Sequence, residues 1–394
     1  MLDSLALTWF LLPLGAALGW ALARNFWQQP GRAPMAPERR TYLSNLEHLV
    51  AEDPDQAVAE LLQAADAQPE TAELQLTLGS LFRRRGEVDR ALRLHESLIK
   101  RPGVDPQLAQ KARFELAQDY VKAGLVDHAE KLFRELVRQG VHLAESLEAL
   151  VAIYEQLRDW SHAIDFAQQL EAVRGQSLKP LIAQYACERA EAARLKGDHP
   201  EVLRLANRAL SIYGDCVRAS LLQAAAHEAL KDVAAAAKAY RRVPEQDPRF
   251  LREILAPLKR CQEQLGDLAG FWTFLQEAEE RWPDPAPSLA KIELMKAENV
   301  DPVPYISETL HKRPSWAVTL KLMEQIEGRP TATPNLPIKP VREAMEKLGL
   351  TAMYQCHHCG LKPRVLFWQC PSCKQWASIT PAPDPLLAPA KKSP

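Results

Sequence analysis

The chain has 394 residues, too long for one ordinary hydrophobic core and long enough for two or three domains or one extended array of repeats. Lys and Arg number 49 against 50 Asp and Glu, a formal net charge of −1, which argues against a protein whose main task is coating nucleic acid. A hydrophobic content of 47% excludes wholesale disorder, and 16 glycines are too few for the tight turns of an all-β fold, so a mostly α protein is expected.

The first element is apolar. Residues Leu5 to Ala23 run for nineteen residues without a charge, just enough helix to span a hydrocarbon core of roughly 30 Å. Trp9 and Trp20 stand near its ends, where indole rings favour the membrane interface. Ala21-Leu22-Ala23 resembles a signal-peptidase site, but Asp3 stands where a positive n-region belongs, so a retained transmembrane anchor over residues 1–24 is the better expectation. Arg24, Arg32, Arg39 and Arg40 follow it, and the positive-inside rule then places the bulk of the chain on the cytoplasmic side. A proline-rich tether occupies residues 25–40.

From residue 41 to 327 the sequence repeats itself. Ala57, Leu61 and Ala64 recur thirty-four residues later as Ala91, His95 and Leu98. The same step links Ala129, Phe133 and Leu136 to Ala163, Ala167 and Leu170, and Val202, Ala206 and Ala209 to Ala236, Tyr240 and Val243; Phe271, Leu275 and Ala278 follow after thirty-five. The preceding helices keep step, as Leu78-Gly79-x2-Phe82, Leu116-Ala117-x2-Tyr120 and Leu150-Val151-x2-Tyr154. Turn residues recur between the two helices, as at Gly124-Leu125, Gly197-Asp198 and Gly266-Asp267, and the longer steps put extra turns near 102–106 and 175–180. Small residues let two antiparallel helices approach closely, and larger ones fill the groove toward the next pair. No pair buries its apolar face alone, so the pairs must stack. The period and the positions resemble the tetratricopeptide repeat. Solenoids of this kind usually hold protein partners on one face, and a second copy of the chain is one candidate.

Residues 328–351 read as a proline-rich linker followed by a short helix over Val341 to Leu348. The segment 352–380 then carries two Cys-x-x-Cys pairs, Cys356 with Cys359 and Cys370 with Cys373, ten residues apart. Each pair can form a knuckle that turns both thiolates to one ion, and two knuckles make a closed four-sulfur site suited to zinc or to a single iron. Four thiolates leave no open position, so a structural ion is expected, supplying much of the folding energy of so small a module. Gly360 permits the left-handed backbone of the first knuckle. Val365 to Trp368 read as a strand, with Trp376 and Ile379 covering its other side. His357 and His358 read as exposed turn residues, and Cys187, Cys216 and Cys261 as buried small hydrophobes at helical positions of the repeats. Residues 381–394 form a tail.

The whole layout resembles the lipopolysaccharide assembly protein B family of Gram-negative bacteria, from Leu2 to about Thr380. The specific match is the ribbon, at Cys356, Cys359, Gly360, Trp368, Cys370, Pro371, Ser372, Cys373 and Trp376. The family's ribbon is rubredoxin-like. Lys374 stands where rubredoxins often carry glycine, which bears on redox behaviour more than on metal binding.

The resemblance implies an adaptor on the cytoplasmic face of the inner membrane. Its partners would be the membrane protease FtsH, the deacetylase of the lipid A pathway whose turnover it promotes, and proteins of lipopolysaccharide transport and assembly. The rival readings are a rubredoxin-like electron-transfer protein, a nucleic-acid-binding ribbon and an enzyme. From Val341 to Thr380 there are five basic and two acidic residues, too small an excess to indicate nucleic acid. The chain has no glycine-rich phosphate loop, no G-x-S-x-G and no H-E-x-x-H, so no catalytic residue is expected.

Overall fold

A computed structural model describes residues 72–327 and 353–384. The expected anchor, the tether, the first repeat and the helix at Val341 lie outside the described residues. Among the described residues no helix is long and apolar enough to cross a membrane. These residues form fifteen α-helices, one 3₁₀ turn and two short strands, and the chain divides into two units at His142.

The first unit contains α1 (Ala72–Arg85), α2 (Val88–Lys100), α3 (Pro106–Lys122) and α4 (Val126–Gln139). Links this short return each helix antiparallel to the last, and α1 also touches α3, which is the stacking that the thirty-four-residue period requires. Ala91, Leu98, Ala129, Phe133 and Leu136 are all buried. His95 occupies the position that other repeats fill with an apolar side chain, and it too is buried. Its Nδ1 lies 2.5 Å from Asp119 Oδ2 and its Nε2 lies 3.2 Å from the Leu76 carbonyl. Arg83 donates to the other Asp119 oxygen at 2.8 Å, so the buried carboxylate has a partner on each oxygen. Gly79 makes room for this cluster: a Cβ there would meet the His95 ring at 2.3 Å.

The second unit contains α5 (Leu143–Leu157), α6 (Trp160–Arg174), α7 (Lys179–Leu195), α8 (His199–Ile212), α9 (Val217–Ala229), α10 (Val233–Gln246), α11 (Leu251–Leu265), α12 (Leu268–Arg281), α13 (Ala286–Ala297), α14 (Val303–Lys312) and α15 (Trp316–Glu327). Ala163, Ala167, Val202, Ala206, Ala236, Tyr240, Phe271 and Leu275 are buried, as the repeat positions require. Asp159, Asp198, Asp232 and Asp267 each accept a backbone N–H at the start of a second helix, which explains why Asp recurs at that turn. First helices of neighbouring pairs touch one another at two steps, α7 with α9 and α11 with α13.

The ribbon belongs to this unit. Strand β1 (Tyr354–Cys356) pairs antiparallel with β2 (Ile379–Pro381), in the register Tyr354 with Pro381 and Cys356 with Ile379. The segment Val365 to Trp368 is not a strand. Only a bridge between Gln369 and Trp376 closes that end, because Leu366 and Trp368 turn inward to the helices instead of joining a ladder.

Candidate metal centre and its seat

The two knuckles share one backbone design. In the first, the Gly360 N–H donates to the Cys356 carbonyl at 3.0 Å; in the second, the Lys374 N–H donates to the Cys370 carbonyl at 2.9 Å. Both closing residues have left-handed backbones, Gly360 with φ +77° and Lys374 with φ +60°. The position where rubredoxins often carry glycine therefore keeps that conformation here, with a side chain that pays for it.

The four sulfurs of Cys356, Cys359, Cys370 and Cys373 all lie within 4.8 Å of one another. Cys356 Sγ and Cys373 Sγ are 3.8 Å apart, and Cys359 Sγ and Cys370 Sγ are 3.7 Å apart. A tetrahedral ion with metal–sulfur bonds of about 2.3 Å requires sulfur–sulfur edges of about 3.8 Å, so the set fits a closed site. Cys356 and Cys370 are fully buried, while Cys359 is exposed. Against the opposing effect of burial, the Ser378 hydroxyl and the N–H groups of Cys359 and His358 bring Cys356 down to about 5. The Gln375 N–H favours the Cys373 thiolate, but the neighbouring sulfurs push Cys373 up to about 11. Four thiolates cannot all be charged at this spacing without a cation among them, which is the chemistry of a metal donor set. His357 and His358 are exposed in the first knuckle, as expected of turn residues.

The ribbon sits on the face made by the first helices. Trp376 does not cover a strand. Its ring meets Trp160 and Tyr185 edge-on, at centroid distances of 6.0 and 5.8 Å, and its indole N–H donates to Glu155 at 3.0 Å. Glu155 also accepts from Gln369 Nε2 and from the Tyr185 hydroxyl, each at 2.5 Å. Trp368 stacks on Phe250 at 5.6 Å with 13° between the planes, and the Arg218 guanidinium lies 5.8 Å from its ring centre. The Tyr354 hydroxyl donates to Glu253 at 2.9 Å, and Arg252 donates to the Ala382 carbonyl at 2.9 Å. Strand β2 runs through Pro381, and the chain continues along the helices to Asp384. There the carboxylate accepts from the Ser315 hydroxyl at 2.7 Å and from the N–H groups of Trp316 and Ala317 at 3.3 and 3.2 Å. Asp384 thus caps α15 from another part of the chain, where the positive end of the helix favours an anion.

Beside this contact lies a cleft of about 450 Å³, lined by Arg249, Arg252, Trp282, Asp284, His357 and Asp384. Burial holds the Asp284 carboxyl above its ordinary range, against the Ala286 N–H and Arg252.

The four cysteines were legible as a set. Glu155, Trp160, Tyr185, Arg218, Phe250 and Asp384, which seat the ribbon, carried no signal of their own.

Comparison with known proteins agrees with both parts. Residues 354–381 match the family described as a rubredoxin metal binding domain, and residues 46–104 and 187–249 match the tetratricopeptide repeat. Among solved structures, a tetratricopeptide repeat protein from Parabacteroides merdae covers 64% of this chain and 96% of its own, with 16% identity and a TM-score of 0.33. The lipopolysaccharide assembly protein B of Escherichia coli strain K12 is 31% identical over 385 residues, covering 96% of this chain and 98% of the relative. That of Haemophilus influenzae is 32% identical over 390 residues, covering 95% and 98%. With a repeat array and a four-cysteine ribbon matched over nearly the full length, the chain belongs to the lipopolysaccharide assembly protein B family.

Proposed function

We propose that this chain is an inner-membrane adaptor that coordinates lipopolysaccharide assembly. In this reading it restrains lipopolysaccharide synthesis by promoting FtsH-dependent proteolysis of the lipid A pathway deacetylase. The observation that carries the reading is the match over 96% of the chain to relatives named for lipopolysaccharide assembly. Residues 1–24 anchor the chain in the bilayer, with the rest on the cytoplasmic side, and confinement to that plane raises the local concentration of membrane partners. Cys356, Cys359, Cys370 and Cys373 hold one iron or zinc ion, whose role is to keep the ribbon folded. Glu155, Trp160, Tyr185 and Phe250 then hold the ribbon against the helices, so that array and ribbon present one surface to a client. Aromatic and hydrogen-bonded contacts of this kind position a partner; they do not move protons or electrons on a substrate, which supports an adaptor over an enzyme.

The test is the half-life of the deacetylase in cells depleted of this protein. A lengthened half-life that the wild-type chain restores, and that Cys356→Ser and Trp376→Ala chains do not, supports the adaptor and ties it to the seated ribbon. An unchanged half-life on depletion overturns the proteolytic reading.

A further inference from the structure

Two cysteines outside the ribbon lie together. Cys187, in the middle of α7, and Cys216, just before α9, have their sulfurs 3.8 Å apart. Both are buried, at 0% and 2% exposure. Cys216 is not within a helix, as a repeat-core reading would have it, but is the N-cap of α9. We propose that Cys187 and Cys216 are a peroxide-responsive thiol pair that closes to an intramolecular disulfide.

The surroundings assign the two sulfurs different roles. The Cys187 S–H and the N–H groups of Ala219 and Arg218 bring the Cys216 thiol below its ordinary value, against its burial. Its negative partner and its burial hold Cys187 well above. Cys216 also stands at the N-terminus of α9, where the helix end favours an anion, while Cys187 lies in mid-helix, so Cys216 is the nucleophile and Cys187 the thiol that resolves it. Cys261 is the contrast. Burial and the Glu228 carboxylate push it up to about 12, and its sulfur donates to Glu228, with no second sulfur beside it among the described residues.

A small polar molecule has something to hold there. Gln184, 5% exposed, donates through Nε2 to Cys216 Sγ at 3.8 Å, while its Oε1 has no hydrogen-bond partner among the described residues. Arg218, 6% exposed, pairs with Glu188 at 2.8 Å, and its Nη1 likewise has none. A carbonyl acceptor and a cationic donor beside a thiolate suit a hydroperoxide, which accepts and donates and is small enough for a buried site.

The Cys216 thiolate attacks one peroxide oxygen, the O–O bond breaks, and the leaving hydroxide takes a proton to become water. Cys187 sulfur then attacks the Cys216 sulfenic acid. The S–S bond forms, the S–O bond breaks, and the departing hydroxide takes the Cys187 proton as a second water. Two thiols and one peroxide give one disulfide and two waters, with two electrons passing to the oxidant. Closing the pair moves the sulfurs together by about 1.8 Å, from 3.8 Å to a bond of about 2.05 Å. Arg218, two residues beyond Cys216, lies against the ribbon's Trp368, so the pair stands behind the ribbon's seat.

The test uses the full, metal-loaded chain, treated with hydrogen peroxide, alkylated without reduction and digested for mass spectrometry. The expected result is a peptide pair linked through Cys187 and Cys216, with Cys261 recovered alkylated. In a Cys187→Ser chain the sulfenic acid has no resolving thiol, and dimedone should label Cys216. If that variant loses its helical spectrum, the wild-type peptide map decides alone. Recovery of Cys187 and Cys216 as separate alkylated peptides overturns the proposal.

Discussion

The Glu155 carboxylate accepts the indole N–H of Trp376 at 3.0 Å across 221 residues of sequence. The same carboxylate holds Gln369 and the Tyr185 hydroxyl, so one side chain joins α5, α7 and the ribbon. Glu155→Ala leaves the Trp376 indole and the Tyr185 hydroxyl without their acceptor, at a cost of about 1–3 kcal/mol for each that water cannot reach, while Gln369 keeps the Lys374 carbonyl at 3.1 Å. Glu155→Gln keeps one carbonyl oxygen and should cost less. Amide hydrogen exchange over residues 354–381 is expected to rise in the order wild type, Gln, Ala, with α1 to α4 unchanged. Equal protection of the ribbon in all three chains would show that the aromatic contacts suffice alone.

If the four cysteines hold an ion as proposed, removing it should separate the ribbon's fold from that of the helices. The described ribbon has two three-residue strands and a small buried cluster of Tyr354, Cys356, Cys370 and Ile379, too little core to stand without its ion. A chelator, or Cys356→Ser, is therefore expected to abolish exchange protection from Tyr354 to Pro381 while the helical circular dichroism remains. Trp160, Tyr185 and Phe250 lose their cover in that state, so binding of an apolar dye should increase. Loss of the helical signal together with the ribbon would mean that the array depends on the ribbon for its own stability.

The two parts of this chain differ in how far their sequences declare them. The repeats are legible because the packing of each helix pair is local and recurs. Ala163, Ala206 and Ala236 are buried where the period puts them, since a larger side chain there would hold two helices apart. The four cysteines are legible because a tetrahedral ion needs two knuckles of fixed spacing. The ribbon's seat is not legible, because its contacts join residues from 67 to 221 positions apart and have no period. Trp368 and Trp376 read as ribbon core from their neighbours, yet both rings face the helices. The polar cluster at His95 left a faint mark, a histidine at a position where the other repeats carry alanine, leucine or an aromatic ring. Its partner Asp119 gave none, since a carboxylate on a helix is ordinarily solvated.

The left-handed residues of the two knuckles make a matched pair of substitutions. Lys374 has an exposed side chain and φ +60°, a conformation that costs a residue with a Cβ about 1 kcal/mol or more. Lys374→Gly is expected to recover about 1 kcal/mol of that, less the extra freedom glycine gains in the unfolded ribbon. Gly360→Ala should do the reverse, and since nothing lies within 4 Å of the added Cβ, its cost is that of the backbone alone. In the proposed reading an ion folds the ribbon, so both effects should appear as slower and faster loss of that ion to a competing chelator. The same change of rate in both variants would show that side-chain contacts, not the backbone, set the difference.

Asp284 gives a pH dependence with a definite sign. It lies in the link between α12 and α13, accepts the Ala286 N–H at 2.8 Å, and stands 3.8 Å from Arg252. Burial, with a smaller contribution from Asp384, raises its pKa in spite of both. A carboxyl whose folded pKa is raised favours folding fully below its unfolded value of about 3.9, and loses that contribution as pH rises through the folded value. Asparagine retains an acceptor for Ala286 and resembles the protonated carboxyl. Asp284→Asn should therefore match the wild type near pH 4 and become the more stable of the two as pH rises toward 7, read as the difference between their urea midpoints. A difference that is constant with pH, or that favours Asp at neutral pH, would mean that Arg252 outweighs burial and that the carboxylate is the form this cleft holds.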